Sequence, residues 1–327
     1  MGRYRGSAET CGGEIRDPGL APSCGLPVKD LGRLADRADV NASEAAATRA
    51  GRPWIVKNLR PLPVVAVRLM RLVSTDDVVF RSVADVVRMD VAFSAEVMRL
   101  ANSPLLGCRG TVHGILHAMA ILGLDRIKGL VMTVALRNFL ASALQDPVLT
   151  RCWRHSLASA LICEELAVAC WLDKDKHYTA GLMHDLGRLA LLGTYPEDYA
   201  RLLEDADTLD SEGFDLLESE RDRFEADHAQ VGSWLAEDWD FPAEYREITG
   251  GHHRRPAGGR FDLLTTVHLG CRIADMLGFQ VAGPAPLISL DELKPQFPGC
   301  AWDRMKSDHE LFVTIAGKIN ALECSLL

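Results

Sequence analysis

The chain has 327 residues, 48% of them hydrophobic and 25% charged, and carries a formal net charge of −9. A chain of this length buries roughly three quarters of the surface it exposes when unfolded, so it builds a core without disulfide staples. The acidic balance argues against the concentrated basic surface that nucleic acid requires, and no apolar run reaches the roughly 18 residues of a membrane span. Aromatics are only 6%, and Leu, Ala and Val dominate, a bias that favours helices over a strand-rich sandwich.

Residues 1 to 55 are rich in Gly, Ala, Arg and Asp and include Gly12-Gly13, Pro18, Pro22 and Pro27. They read as a disordered tail with a short helix near 35–50. Arg3 and Arg5 are followed by no apolar stretch, so a secretory signal is not expected and the expected compartment is the cytoplasm.

From Leu62 the pattern turns helical, with Leu62, Val65, Leu69, Leu72 and Val73 at helical spacing. Ser82-Val83-Ala84-Asp85 resembles a capping box that starts a helix through Met89. A short helix through Phe93, Val97, Met98 and Leu100 ends at Asn102-Ser103-Pro104. Helices over about 112–122 and 124–144 are punctuated by Gly123, and Leu130, Val131, Val134, Leu136 and Leu140 mark the second as strongly buried. Asp146-Pro147 is a boundary. Beyond it the periodicity predicts helices over about 150–171, 178–193, 196–206, 213–223, 228–238, 242–251 and 262–278. The stretch Gly278 to Pro286 then separates a C-terminal piece with a last helix over about 303–322. No alternating strand stands out, so the predicted class is all-α.

Nine cysteines are present, with no CxxC pair. They read as buried, reduced thiols in apolar helices (Cys163, Cys170, Cys271) or as single loop residues.

Histidine and aspartate carry the candidate chemistry, because they ligate divalent metals. His155, His184, Asp185, His228, His252, His253, His268 and Asp275 lie on or at the end of different predicted helices, the arrangement by which a bundle gathers ligands at its centre. His184-Asp185 sits within an apolar helix, where a bare carboxylate needs a positive partner: a metal, His155 or an arginine. Asp275 makes a similar case, with His268 seven residues earlier on the same face. A lone histidine on an apolar helix is more often a hydrogen-bonded core residue, and only the joint pattern shifts that balance. His113 and His117 have ligand spacing but no acidic companion. His177 follows a charged loop and is expected in solvent.

Leu62-Pro63, Arg99-Leu-Ala-Asn-Ser103, Ile121-Leu-Gly-Leu124, Trp153-Arg-His-Ser156, Thr179-Ala-Gly-Leu-Met-His-Asp-Leu-Gly187 and Asp227-His-Ala-Gln-Val-Gly232 occur in order. Over about residues 55 to 280 the chain resembles the HDOD family, relatives of the HD phosphohydrolases. The resemblance implies an N-terminal helical subdomain (56–146), an HD-like helical subdomain (147–282) and a C-terminal helical extension (283–327). It implies a regulatory role in bacterial signalling through a protein partner.

The ligand order H…HD…D of active HD enzymes is kept in His155, His184-Asp185 and Asp275. His228 and His252-His253 are similar to the extra histidines of HD-GYP phosphodiesterases. The lysine that often follows the HD pair in those enzymes is Arg188 here. His253 is followed by Arg254-Arg255-Pro256-Ala257-Gly258-Gly259 in place of the Asp-Gly-x-Gly-Tyr-Pro signature, which argues against cyclic-dinucleotide hydrolysis.

The implied centre holds a divalent transition metal (Fe, Mn, Zn or Ni), with donors enough for two ions. His155, His184, Asp185 and Asp275 would bind one ion. His228 with His252 or His253 would bind a second, bridged by Asp185, and Arg188 would orient a phosphate-containing small ligand. The alternative to the signalling role is a metal-dependent phosphohydrolase with Asp185 and Arg188 in catalytic roles.

Overall fold

The structure, a computed structural model, describes residues 52–73, 80–107, 110–208, 215–254, 261–283 and 289–326. The predicted tail up to residue 51 and the 255–259 part of the arginine- and glycine-rich loop lie outside them. Every regular element among the described residues is helical, as the composition predicted.

Helices α1 (Trp54–Lys57), α2 (Val64–Val73), α3 (Phe80–Arg88), α4 (Val91–Ala101), α5 (Ile115–Leu122) and α6 (Leu124–Phe139) come first. α3 starts at Phe80, so Ser82 lies inside it and does not cap it. The cap falls one helix later, where the Asp90 carboxylate accepts from the Phe93 N–H at 3.0 Å and opens α4. Gly123 separates α5 from α6 at φ 86°, a conformation that costs a residue with a Cβ. α6 is buried along most of its length, and the chain then tightens into a 3-10 turn at Ala143–Gln145.

α7 (Pro147–Ala169) begins three residues before its predicted start, because Asp146 caps it and Pro147 suits a first helical turn. α8 (Lys174–Met183) is capped by Asp173, and the His177 ring folds back to the Asp173 carbonyl at 2.6 Å. His177 is therefore buried, not solvated as its charged neighbours predicted.

The single helix predicted over 178–193 is two. α8 stops at Met183 and α9 (Leu186–Thr194) starts after Asp185, whose φ −92°, ψ 22° leaves the helical region. The break turns the buried carboxylate toward partners on other elements that a continuous helix would keep on its own wheel.

Further helices are α10 (Pro196–Thr208), α11 (Leu216–Phe224), α12 (His228–Asp238), α13 (Ala243–Gly251) and α14 (Leu263–Ala274), which runs into a π-turn at Asp275–Phe279. α15 (Leu290–Leu293), α16 (Gly299–Trp302) and α17 (Asp308–Leu326) complete the fold. The last helix starts five residues after its predicted position.

α7 is the axis of the second half, packed along α8 and α14, while α9 crosses α12 and α12 packs on α13. Two glycines set the spacing. A Cβ at Gly181 would lie 2.8 Å from Ala160 Cα and from Ser159 O, so α8 touches α7 backbone to backbone. A Cβ at Gly187 would lie 2.0 Å from His228 O and 2.4 Å from Gly232 N. That contact brings the His184-Asp185 break against the first turn of α12. α17 lies against both α4 and α7 and joins the two halves of the core.

Candidate metal centre

Each candidate side chain reaches the centre for a local reason. His155 is in the middle of α7, and His184 and Asp185 occupy the break between α8 and α9. His228 is the first residue of α12, where Asp227 and Gln230 form a capping box. His252 caps the C-terminus of α13, and His268 on α14 is tied to it, its Nδ1 2.8 Å from the His252 carbonyl. His155, His184, Asp185, His252, His253 and Asp275 all line one cavity of about 410 Å³.

The imidazole tautomers follow from second partners. His228 Nδ1 lies 2.6 Å from Glu220 Oε2, and His252 Nδ1 lies 3.1 Å from the Ile248 carbonyl. A carbonyl or ionised carboxylate only accepts, so each Nδ1 carries the proton and each Nε2 presents a lone pair. Those lone pairs meet a buried oxygen. Asp185 Oδ1 has no hydrogen-bond partner, yet stands 3.3 Å from His228 Nε2 and 3.4 Å from His252 Nε2. The two nitrogens are 3.4 Å apart.

These three separations test the fit of an ion. Donors about 2.1 Å from a tetrahedral ion are spaced about 3.4 Å from one another. Asp185 Oδ1, His228 Nε2 and His252 Nε2 have that spacing, and the orphaned oxygen gives a cation something to satisfy. The residues fit a divalent metal, with His228 Nε2 exchanging the hydrogen bond it accepts from Arg188 for the ion. His253 Nε2 is only 2.7 Å from His228 Nε2, a hydrogen-bond separation.

The other oxygen of Asp185 is taken. Arg188 donates from Nε to Asp185 Oδ2 at 2.7 Å, from Nη2 to His228 Nε2 at 3.0 Å and from Nη1 to the Tyr199 hydroxyl at 3.2 Å. Tyr199 in turn donates to Glu220 Oε1. The positive partner that Asp185 requires is thus present in the chain, and Arg188, 3% exposed, is a wall of the centre. Burial alone would raise the Asp185 carboxyl, but Arg188 and then His184 hold it well below the usual carboxylate range. Burial pushes His184 down to about 3 and also depresses His228, which favours the neutral, ligating form of both rings.

On the far side of Asp185, donor atoms of His155, His184 and Cys271 lie within 4.8 Å of one another. Asp275 sits beside this group, its Oδ1 3.4 Å from His155 Nδ1. His113 and His117 stack on each other at 5.8 Å on the surface, away from the centre.

Sequence reasoning missed Cys271, Glu220 and Tyr199. Cys271 had a signal, since it stands three residues after His268 and four before Asp275 on one helix face. Glu220 had none, lying in the charged run Glu218 to Arg223 that reads as a solvated surface.

Fold and site together define an all-helical protein with a buried His/Asp cluster. It belongs to the HDOD family, whose domain matches residues 59–255. A Treponema pallidum protein described as uncharacterised is 25% identical over 226 residues, covering 65% of this chain but only 40% of that protein. The crystal structure of an HDOD domain protein of unknown function from Geobacter sulfurreducens is similar at TM-score 0.64 and 22% identity, over 88% of this chain and 98% of that one. A candidate signal transduction protein from Marinobacter aquaeolei is similar at TM-score 0.58 and 22% identity, over 82% of this chain and 59% of its own. No helix of the described residues is long and apolar enough to cross a membrane.

Proposed function

We propose that this chain is a cytoplasmic signalling module that works by binding a protein partner, with a divalent transition metal held at Asp185, His228 and His252 as a structural site. The observation that carries this reading is the bond from Arg188 Nε to Asp185 Oδ2 at 2.7 Å. A carboxylate that bridges a metal pair through both oxygens serves two ions, and here one of those oxygens already accepts from a buried guanidinium, which competes with a second ion. The name borne by the Marinobacter aquaeolei protein is in keeping with this reading.

An ion held by Asp185, His228 and His252 would supply positive charge at the centre. His155, His184, His253 and Asp275 then act around it as further donors or as hydrogen-bonded supports. Exposed Val64 and Met89 edge a separate groove of about 340 Å³ between α2, α3, α4 and α6, an apolar surface of the kind proteins dock on.

A phosphohydrolase is the second reading. It is favoured by the size of the cavity at the centre, about 410 Å³ and lined by Arg272 as well as by imidazoles, which would admit a phosphate-containing small ligand.

The test is turnover by metal-loaded protein. Wild type and Asp185→Ala, each dialysed against Zn²⁺, Mn²⁺ or Fe²⁺, are assayed on a panel of phosphodiesters and nucleotides. The signalling reading expects metal in the wild type and hydrolysis no faster than in Asp185→Ala. Hydrolysis that wild type performs and Asp185→Ala does not would establish the enzyme instead.

A further inference from the structure

Cys271 is the residue of α14 that reaches the half of the centre on the His155 side. Its Sγ and one ring nitrogen each of His155 and His184 lie within 4.8 Å of one another. Both histidines are oriented by the backbone: His155 Nδ1 is 2.9 Å from the Phe279 carbonyl and His184 Nδ1 is 2.6 Å from the Gly181 carbonyl. Each Nδ1 therefore donates, and each Nε2 presents a lone pair to the space that Sγ borders.

Asp275, one turn further along, stands on the other nitrogen of His155, its Oδ1 3.4 Å from Nδ1. A carboxylate there fixes the tautomer and raises the basicity of the ring, which is how second partners support a ligating histidine. The two residues divide the work: the carboxylate orients His155 and the sulfur faces the donors. Asp185 Oδ2 lies 3.5 Å from His184 Nε2 but is engaged by the Arg188 guanidinium, so the sulfur of Cys271 is the third donor of this half.

We propose that His155, His184 and Cys271 form a second, thiolate-containing ion site beside the Asp185, His228 and His252 site. This rests on the metal-centre reading above and extends it to a different donor chemistry. On binding, the thiol releases its proton to solvent and the sulfur becomes a metal ligand. Two imidazoles and a thiolate select zinc, iron or cobalt over manganese and magnesium, because sulfur is a soft donor. All three residues line the cavity of about 410 Å³, from which an ion would reach them.

Cobalt substitution tests it. The full chain, stripped with chelator and titrated with Co²⁺, is expected to bind two ions and to develop a near-ultraviolet thiolate-to-cobalt charge-transfer band. Cys271→Ser should lose that band and one equivalent of cobalt, and Asp275→Asn should keep the band. Zinc X-ray absorption on wild type needs no variant and should show a sulfur shell at about 2.3 Å. Cobalt bound without the band, or zinc with nitrogen and oxygen neighbours only, overturns the thiolate site and leaves the Asp185 centre standing. Binding of neither metal overturns both.

Discussion

Arg188 Nε donates to Asp185 Oδ2 at 2.7 Å, with the Arg188 side chain 4% and the Asp185 side chain 1% exposed. The guanidinium also reaches His228 and Tyr199, so it neutralises charge that an ion at the centre would otherwise neutralise. Arg188→Met strands Asp185 and Glu220 without their buried cation, and a broken buried pair costs about 3–5 kcal/mol. Zinc should return more stability to the variant than to wild type, since it gains both oxygens of Asp185. Thermal unfolding with and without zinc reads the difference. Equal zinc-induced rises in Tm would mean that the guanidinium and the ion do not compete.

Gly187→Ala is expected to be far more damaging than its size suggests. The new methyl would lie 2.0 Å from His228 O and 2.4 Å from Gly232 N, which are backbone atoms and cannot swing aside. Separating α9 from α12 should cost about 3 kcal/mol or more and move Asp185 away from His228. Gly317→Ala is the control. Nothing lies within 4 Å of a Cβ there, and in a helix the change should stabilise by about 0.5–1 kcal/mol. Chemical denaturation of the two variants, with cobalt stoichiometry measured on each, separates close approach from generic glycine effects.

Much of this was legible in the sequence. Periodicity placed the helices, and the motifs around His155, His184-Asp185 and Asp227-His228 carried the family. The break at Asp185 was not legible, because Ala180 to Arg188 is apolar enough to read as one helix. At the break Gly187 meets the backbone of another helix, a long-range contact that leaves no periodic trace. Glu220 was hidden for the opposite reason. Its neighbours are charged and solvated, and only the path of α11 turns this one carboxylate inward to His228.

Glu220→Gln tests that inward turn. Glu220 Oε2 accepts from the His228 backbone N–H at 2.8 Å and faces the ring Nδ1 at 2.6 Å. The neutral amide still fills the space but no longer anchors the ring with charge. Loss of such a support typically weakens metal binding about 10- to 100-fold. Competition against a coloured chelator should show that drop for the ion at Asp185, His228 and His252, with the thiolate band of the other site intact. A loss shared equally by both sites would place Glu220 in the general stability of the fold.

Glu165 ties α17 to α7 and makes that contact sensitive to acid. Its carboxylate meets Lys306 at 2.7 Å and Lys318 at 2.8 Å. Burial works against the charged form, but the two lysines prevail and hold the carboxyl below its ordinary value. A carboxyl depressed in the folded state stabilises fully above its unfolded value, about 4.3 for glutamate, and loses that contribution as pH falls through the folded value. Glu165→Gln should therefore cost about 1 kcal/mol at neutral pH, the upper range for a partly exposed pair. The gap in Tm between wild type and variant should narrow as pH drops below about 4. A constant gap from pH 7 to pH 3 would assign the effect of the substitution to packing and not to the lysine pairs.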